Sequence, residues 1–131
     1  MDLTLLRQFA WVFLFGGVGA CSRVAAAEVL ERRLGEQIPF VGVLSVNVLG
    51  CLLIGIAAES IRDPTVRMAV LGGFLGGFTT YSAFGLLVVE LGEAGRWGPA
   101  VAQVATHIVL GIVAAVAGGA LARAAGWTAL W

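Results

Sequence analysis

The 131-residue chain has no lysine, one histidine, two cysteines and three prolines, and charged residues make up only 12% of it. Each shortage closes off a class of function. With no lysine, and eight arginines set against eight acidic residues, there is no basic footprint for a nucleic acid. Cys21 and Cys51 show neither C-x-x-C nor ligand-like spacing, so they read as small apolar packing residues. The sequence offers no nucleophile–base set and no metal spacing, and an enzyme is not expected.

What the chain does have is apolar surface. Hydrophobic residues make up 60% and the mean hydropathy is +0.97, more than a soluble domain this short can bury. Four runs, 9–29, 40–58, 68–91 and 99–122, each approach or exceed the roughly 18–20 residues that a helix needs to cross a bilayer core. The connections 30–39, 59–67 and 92–98 are short, which predicts antiparallel neighbours in one all-α, four-span membrane domain over 1–131. Arg7 ahead of an apolar run, with alanines at 25–27, has the outline of a signal peptide. The run is long, however, and Arg23 stands where small neutral residues are required, so the first span is expected to stay uncleaved.

Arginine placement predicts little orientational preference. Arg7, Arg62, Arg67 and Arg123 fall on one side of such a domain and Arg32, Arg33 and Arg96 on the other, almost no bias under the positive-inside rule. A chain that inserts both ways can pair antiparallel with itself, which reproduces with two chains the inverted repeats of single-chain transporters.

The third run carries the weakest helix-forming stretch, GGFLGGFTTYSAF at 72–84. Gly72, Gly73, Gly76 and Gly77 each cost a helix interior up to about 1 kcal/mol relative to alanine. An interruption near Thr79–Thr80, the middle of the run, is therefore expected. Non-helical backbone at that depth survives only against protein, water or an ion, and freed carbonyls there can serve as cation ligands. The competing reading is a close helix contact through Gly72 and Gly76. Asn47, near the middle of the second run, is either interhelical glue or an anion-facing donor. Tyr81 and Phe84, three apart, share one helix face, and their positive ring edges suit an anion without binding it tightly. Arg23 either lines a vestibule that concentrates anions or snorkels to the interface.

GGVGACSR at 16–23, GVLSVNVLG at 42–50 and GGFLGGFTTYSAF at 72–84 resemble, in order and spacing, the Fluc (CrcB-type) fluoride channels. The resemblance covers three of the four spans. It implies an antiparallel, dual-topology dimer in the inner (cytoplasmic) membrane, with two fluoride pathways along the interface and third helices broken near the midplane. A structural sodium ion would sit at the dimer centre on backbone carbonyls that fall here on Gly76 and Thr79. The pore asparagine falls on Asn47, the paired phenylalanines on Tyr81 and Phe84, and the vestibule arginine on Arg23. Thr80, Ser82 and His107 complete the candidate pathway. The implied activity is passive export of cytoplasmic fluoride, driven by the inside-negative potential, with no organic cofactor. The partners are the lipid bilayer and a second copy, or a paralogous subunit in a heterodimer.

The chain departs from the family at two places. Tyr81 adds a hydroxyl where a bare ring is usual, and the fourth span presents Gln103, His107 and Gly111 in place of the usual hydroxyl or tyrosine residues. His107 is expected either to line the pore, as a neutral N–H donor at high pH and a cation at low pH, or to bond a neighbouring helix's carbonyl. The main rival function, a small four-span drug or cation exporter, requires a carboxylate deep in a span. Glu28, Glu31, Glu36, Glu59, Asp63, Glu90 and Glu93 all fall near span ends. A purely structural membrane subunit would leave the weak stretch and the mid-span amide unexplained.

Overall fold

Asp2 starts the first helix, α1 (Leu3–Leu34), by accepting the Thr4 N–H at 3.3 Å. A computed structural model describes residues 2–36 and 40–127. α1 outruns the apolar window at both ends. The Asp2 cap extends it backwards, and an exposed Glu28–Arg32 pair, 2.7 Å apart at i,i+4 spacing, lies on the turns beyond Ala27. Glu31 then closes the next helix: its carboxylate accepts the N–H groups of Phe40 at 3.1 Å and Gly42 at 3.0 Å. That places a negative charge at the positive end of α2 (Val41–Ser60). At the other end of α2, Arg67 Nη1 donates to the carbonyls of Ala58 at 2.9 Å and Ile61 at 3.1 Å, satisfying groups that a helix C-terminus leaves open.

The third span begins earlier than hydropathy indicates. Asp63 caps it, accepting from Thr65 and Val66 at 3.0 and 2.9 Å, and Pro64 occupies the first turn. Helix α3 (Pro64–Arg67) runs into a π-helical stretch, Met68–Leu75, and then α4 (Gly76–Phe78). There the helical backbone stops. Thr79 (φ −92°, ψ 159°) and Thr80 (φ −147°, ψ 112°) are extended, and α5 (Tyr81–Glu93) starts afresh with Thr80 Oγ1 accepting the Ala83 N–H at 3.2 Å. A turn with Gly95 at φ 71° leads to α6 (Trp97–Ala124).

The stretches Leu3–Leu34, Val41–Ser60, Pro64–Glu93 and Trp97–Ala124 are each long and apolar enough to cross a membrane. Large apolar side chains such as Phe13, Leu14, Val18, Ile112 and Val116 point outward, as lipid-facing residues do. The chain is a multi-pass membrane protein.

Two helix contacts organise the fold, both through glycine. α1 packs on the π-helical stretch and α4. A Cβ at Gly19 would strike the Phe74 carbonyl, and one at Gly77 the Gly16 carbonyl. The contact glycines of the third span are thus Gly73 and Gly77, not Gly72 and Gly76: a Cβ at Gly72 meets nothing within 4 Å, and one at Gly76 meets only the Leu71 carbonyl of its own turn at 3.6 Å. The second contact joins α2 to α6. Gly111 sits against Cys51, Gly55 against the Ala115 carbonyl, and Glu59 bonds Arg123. These two helices run parallel in a constant register, which brings Asn47 level with His107.

Candidate functional site

The interruption at Thr79–Thr80 leaves backbone groups that must find partners in an apolar setting. Asn47 takes both from one residue. Its Oδ1 accepts the Thr80 N–H at 2.8 Å and its Nδ2 donates to the Thr80 carbonyl at 3.0 Å. One amide N–H remains for a ligand, so the residue serves as interhelical glue as well as a candidate donor. Gly50, one turn along α2, makes room for the clamp, since a Cβ there would collide with the Thr79 methyl group.

Two carbonyls lose their helical donors as a result. In a continuous helix the Gly76 carbonyl would accept from Thr80 N–H and the Thr79 carbonyl from Ala83 N–H. Thr80 N–H goes instead to Asn47, and Ala83 N–H to the Thr80 hydroxyl. Thr79 turns its own N–H and hydroxyl back to the Leu75 carbonyl, both at 3.0 Å. Gly76 and Thr79 are the positions at which sodium ligands were expected, and uncharged carbonyl oxygens without a helical donor suit a hard cation.

Around this point an open cavity of about 380 Å³ is lined by Asn47, Thr79, Thr80, Tyr81, Phe84 and His107, together with Gly50, Cys51, Leu75 and Gly76. None of its lining residues carries a carboxylate or a permanent positive charge. Tyr81 and Phe84 do share a face, their rings edge-to-face with centroids 5.6 Å apart at 61°. Tyr81 is 83% exposed on the single chain. The Phe84 ring also meets the His107 imidazole, at 4.4 Å between centroids and 35° between planes.

The fourth-span residues separate. His107 lines the cavity and Gly111 faces Cys51, whereas Gln103 lies in a different cleft with Phe40, Leu44 and Arg96. His107 Nδ1 lies 2.9 Å from the carbonyl of Gln103, on its own helix rather than a neighbour's. A carbonyl only accepts, so in this contact the neutral ring carries its proton on Nδ1, which leaves Nε2 without one. Arg23, half-buried on α1, does not line this cavity; its Nε is buried with no hydrogen-bond partner among the described residues. Ser82 lies just outside, its hydroxyl 3.3 Å from that of Thr80. Cys51 belongs to the lining although it reads as a packing residue; its place one turn beyond Asn47 was the available signal.

The sequence profile described as "CrcB-like protein, Camphor Resistance (CrcB)" matches residues 10–119. A protein of Sorangium cellulosum named "Fluoride-specific ion channel FluC" is 32% identical over 90% of this chain and 96% of its own length. One of Rhizobium johnstonii with the same name is 40% identical over 84% of this chain and 92% of its own. A third, of Acidobacterium capsulatum, is 35% identical over 82% and 89%. With the profile reaching from the first span into the fourth across both sides of the Asn47–Thr80 clamp, and relatives 32–40% identical over most of the chain, the chain belongs to the CrcB family of FluC ion channels.

Proposed function

We propose that this protein is a passive, fluoride-selective channel that lets fluoride leave the cytoplasm across the inner membrane. The observation that carries the reading is the convergence of one spare Asn47 N–H, the Thr80 hydroxyl and the Tyr81 and Phe84 rings on a single cavity without a carboxylate. Weak donors and positive ring edges attract a small anion without trapping it, which conduction requires. Hydrogen fluoride enters cells as a neutral acid and ionises in the less acidic cytoplasm. The membrane potential then drives the anion out, with no chemical step. The family is one of ion channels rather than enzymes.

The cavity is open on one side of the single chain, and beside it Tyr81 is 83% exposed, a polar side chain that lipid cannot satisfy. A second copy in antiparallel orientation would cover it and give two pathways related by symmetry. A sodium ion at the centre would be held by the Gly76 and Thr79 carbonyls of both copies and would neutralise their converging dipoles. Thr80 and Asn47 keep those carbonyls free of helical donors. Arg23 and Ser82 would act at the approach to the pathway rather than in it. Exporter chemistry is disfavoured because no carboxylate lines the cavity to exchange protons against a substrate.

The test is purified protein in potassium-loaded liposomes with valinomycin, followed by fluoride, chloride and pH electrodes. Rapid fluoride release without proton coupling and without chloride release supports the channel. Release that is strictly proton-coupled, or equal for chloride, overturns it.

A further inference from the structure

His107 is the only histidine of the chain, and three observations bear on what it does. Its Nδ1 is committed to the Gln103 carbonyl at 2.9 Å. Its Nε2 is buried with no hydrogen-bond partner among the described residues. Its ring lies against Phe84, the centroids 4.4 Å apart. The first fixes the tautomer, because a carbonyl accepts only from an N–H. The second then makes Nε2 a desolvated lone pair, and the one ring position open to a proton. The third places any charge gained there beside the aromatic ring that lines the cavity.

From this geometry we infer that His107 is a proton-dependent positioning residue acting through Phe84. This rests on the fluoride-channel reading and concerns how that site is tuned. In the neutral state an electron-rich nitrogen sits by Phe84 and does nothing to help an anion nearby. When Nε2 takes a proton from water, the ring becomes an imidazolium in cation–π contact with Phe84. A cation against the ring draws electron density from it and leaves its edge more positive toward fluoride. A fluoride ion in the cavity attracts the new charge. Proton and fluoride therefore reinforce one another by the same factor in both directions.

The other titratable groups around His107 leave this coupling undisturbed. Cys51 from α2 and Tyr81 from α5 share the cavity, and no acid or arginine lines it. Glu59 lies at the far end of α2, bonded to Arg123 of α6, and Glu90 and Glu93 lie at the far end of α5. Arg96 flanks the start of α6 in the cleft that holds Gln103.

The single histidine permits a direct measurement on the whole protein in lipid. With 15N-histidine labelling, the spectrum at pH 8 should be that of the Nδ1–H tautomer. At fixed pH near 6.5, added sodium fluoride should increase the imidazolium fraction, and sodium chloride at equal concentration should not. In liposomes at clamped voltage, corrected for hydrogen fluoride leak through protein-free vesicles, fluoride flux should rise about three-fold or more from pH 8 to pH 5.5. His107→Gln, which does not titrate, should show a flat profile. An Nε2–H tautomer at pH 8, or equal pH profiles for wild type and His107→Gln, overturns the inference while leaving the channel standing. Absence of fluoride flux at every pH overturns the channel itself. Should His107→Gln fail to fold, the tautomer and the fluoride response of the wild-type spectrum still decide.

Discussion

Asn47 and Thr80, on different helices and 33 residues apart, are joined by two hydrogen bonds of 2.8 and 3.0 Å that use both backbone groups of Thr80. The amide replaces the helical partners that Thr80 forgoes. It also takes the N–H that the Gly76 carbonyl would accept in a continuous helix.

Asn47→Ala should therefore act on stability and conduction together. It strands the N–H and carbonyl of a residue that is 8% exposed, at about 1–3 kcal/mol per unsatisfied group. The unfolding temperature in detergent should fall, and fluoride flux should drop at least ~10-fold. Asn47→Asp keeps an acceptor for Thr80 N–H but places a negative charge on the pathway, so flux should fall by repulsion. Wild-type flux in both variants would remove the clamp from the mechanism.

Thr80→Ala deletes the hydroxyl that holds Ala83 N–H and frees that donor to compete for the Thr79 carbonyl. Loss of the cap should cost about 1 kcal/mol. On the sodium proposal, this variant purified in sodium-free buffer should retain less sodium than wild type by elemental analysis, whereas Thr80→Ser should retain as much. Equal sodium content in all three would argue against Thr79 as a ligand.

Phe84→Ile keeps bulk and apolarity and removes the positive ring edge, so flux should fall sharply while the fold is retained. Tyr81→Phe, which gives the bare ring that the resemblance implies at this position, should preserve or raise flux. Unchanged conduction in Phe84→Ile would place fluoride elsewhere.

Gly19→Ala should be among the most damaging single changes, because its methyl would strike the Phe74 carbonyl, which is backbone and cannot step aside. A loss of several kcal/mol is in keeping with overpacking at a backbone contact. Gly17→Ala, two residues away with nothing within 4 Å of its methyl, should be neutral or slightly stabilising. Comparing their thermal unfolding separates helix propensity from contact.

The near-even arginine distribution should show itself as two orientations. A reporter fused after Trp131 should register on both sides of the membrane. Two or three arginines added to the 92–98 loop should force one orientation and reduce flux unless an oppositely biased copy is supplied. A wild-type reporter on one side alone would favour a paralogous partner.

Hydropathy was enough to find four stretches long and apolar enough to cross a membrane, and the glycine–threonine run marks where Thr79 and Thr80 take extended backbone angles. Helix ends were less legible. α1 and the third span run beyond their apolar windows because Asp2 and Asp63 cap them with polar side chains. Which glycines make contacts depends on rotation about the helix axis, and there the pairing of Gly73 and Gly77 with α1 replaced the expectation for Gly72 and Gly76. The Asn47–Thr80 clamp and the His107 tautomer were beyond reach, because each depends on the partner that a side chain finds after folding. Motif position singled out Asn47 but did not reveal that most of its hydrogen-bonding capacity is spent on the backbone of Thr80.

The parallel register of α2 and α6 restricts how this chain can change length. One residue inserted between Asn47 and Gly55, or between His107 and Ala115, turns everything beyond it by about 100°. The glycine contacts would then be out of phase with the clamp, and no local adjustment restores both. Insertions should be better tolerated at 94–96, outside the paired stretches, than within them, where they should be selected against. A sequence library with random single-residue insertions, screened for growth in fluoride, would trace the two helices as paired deserts of matching length.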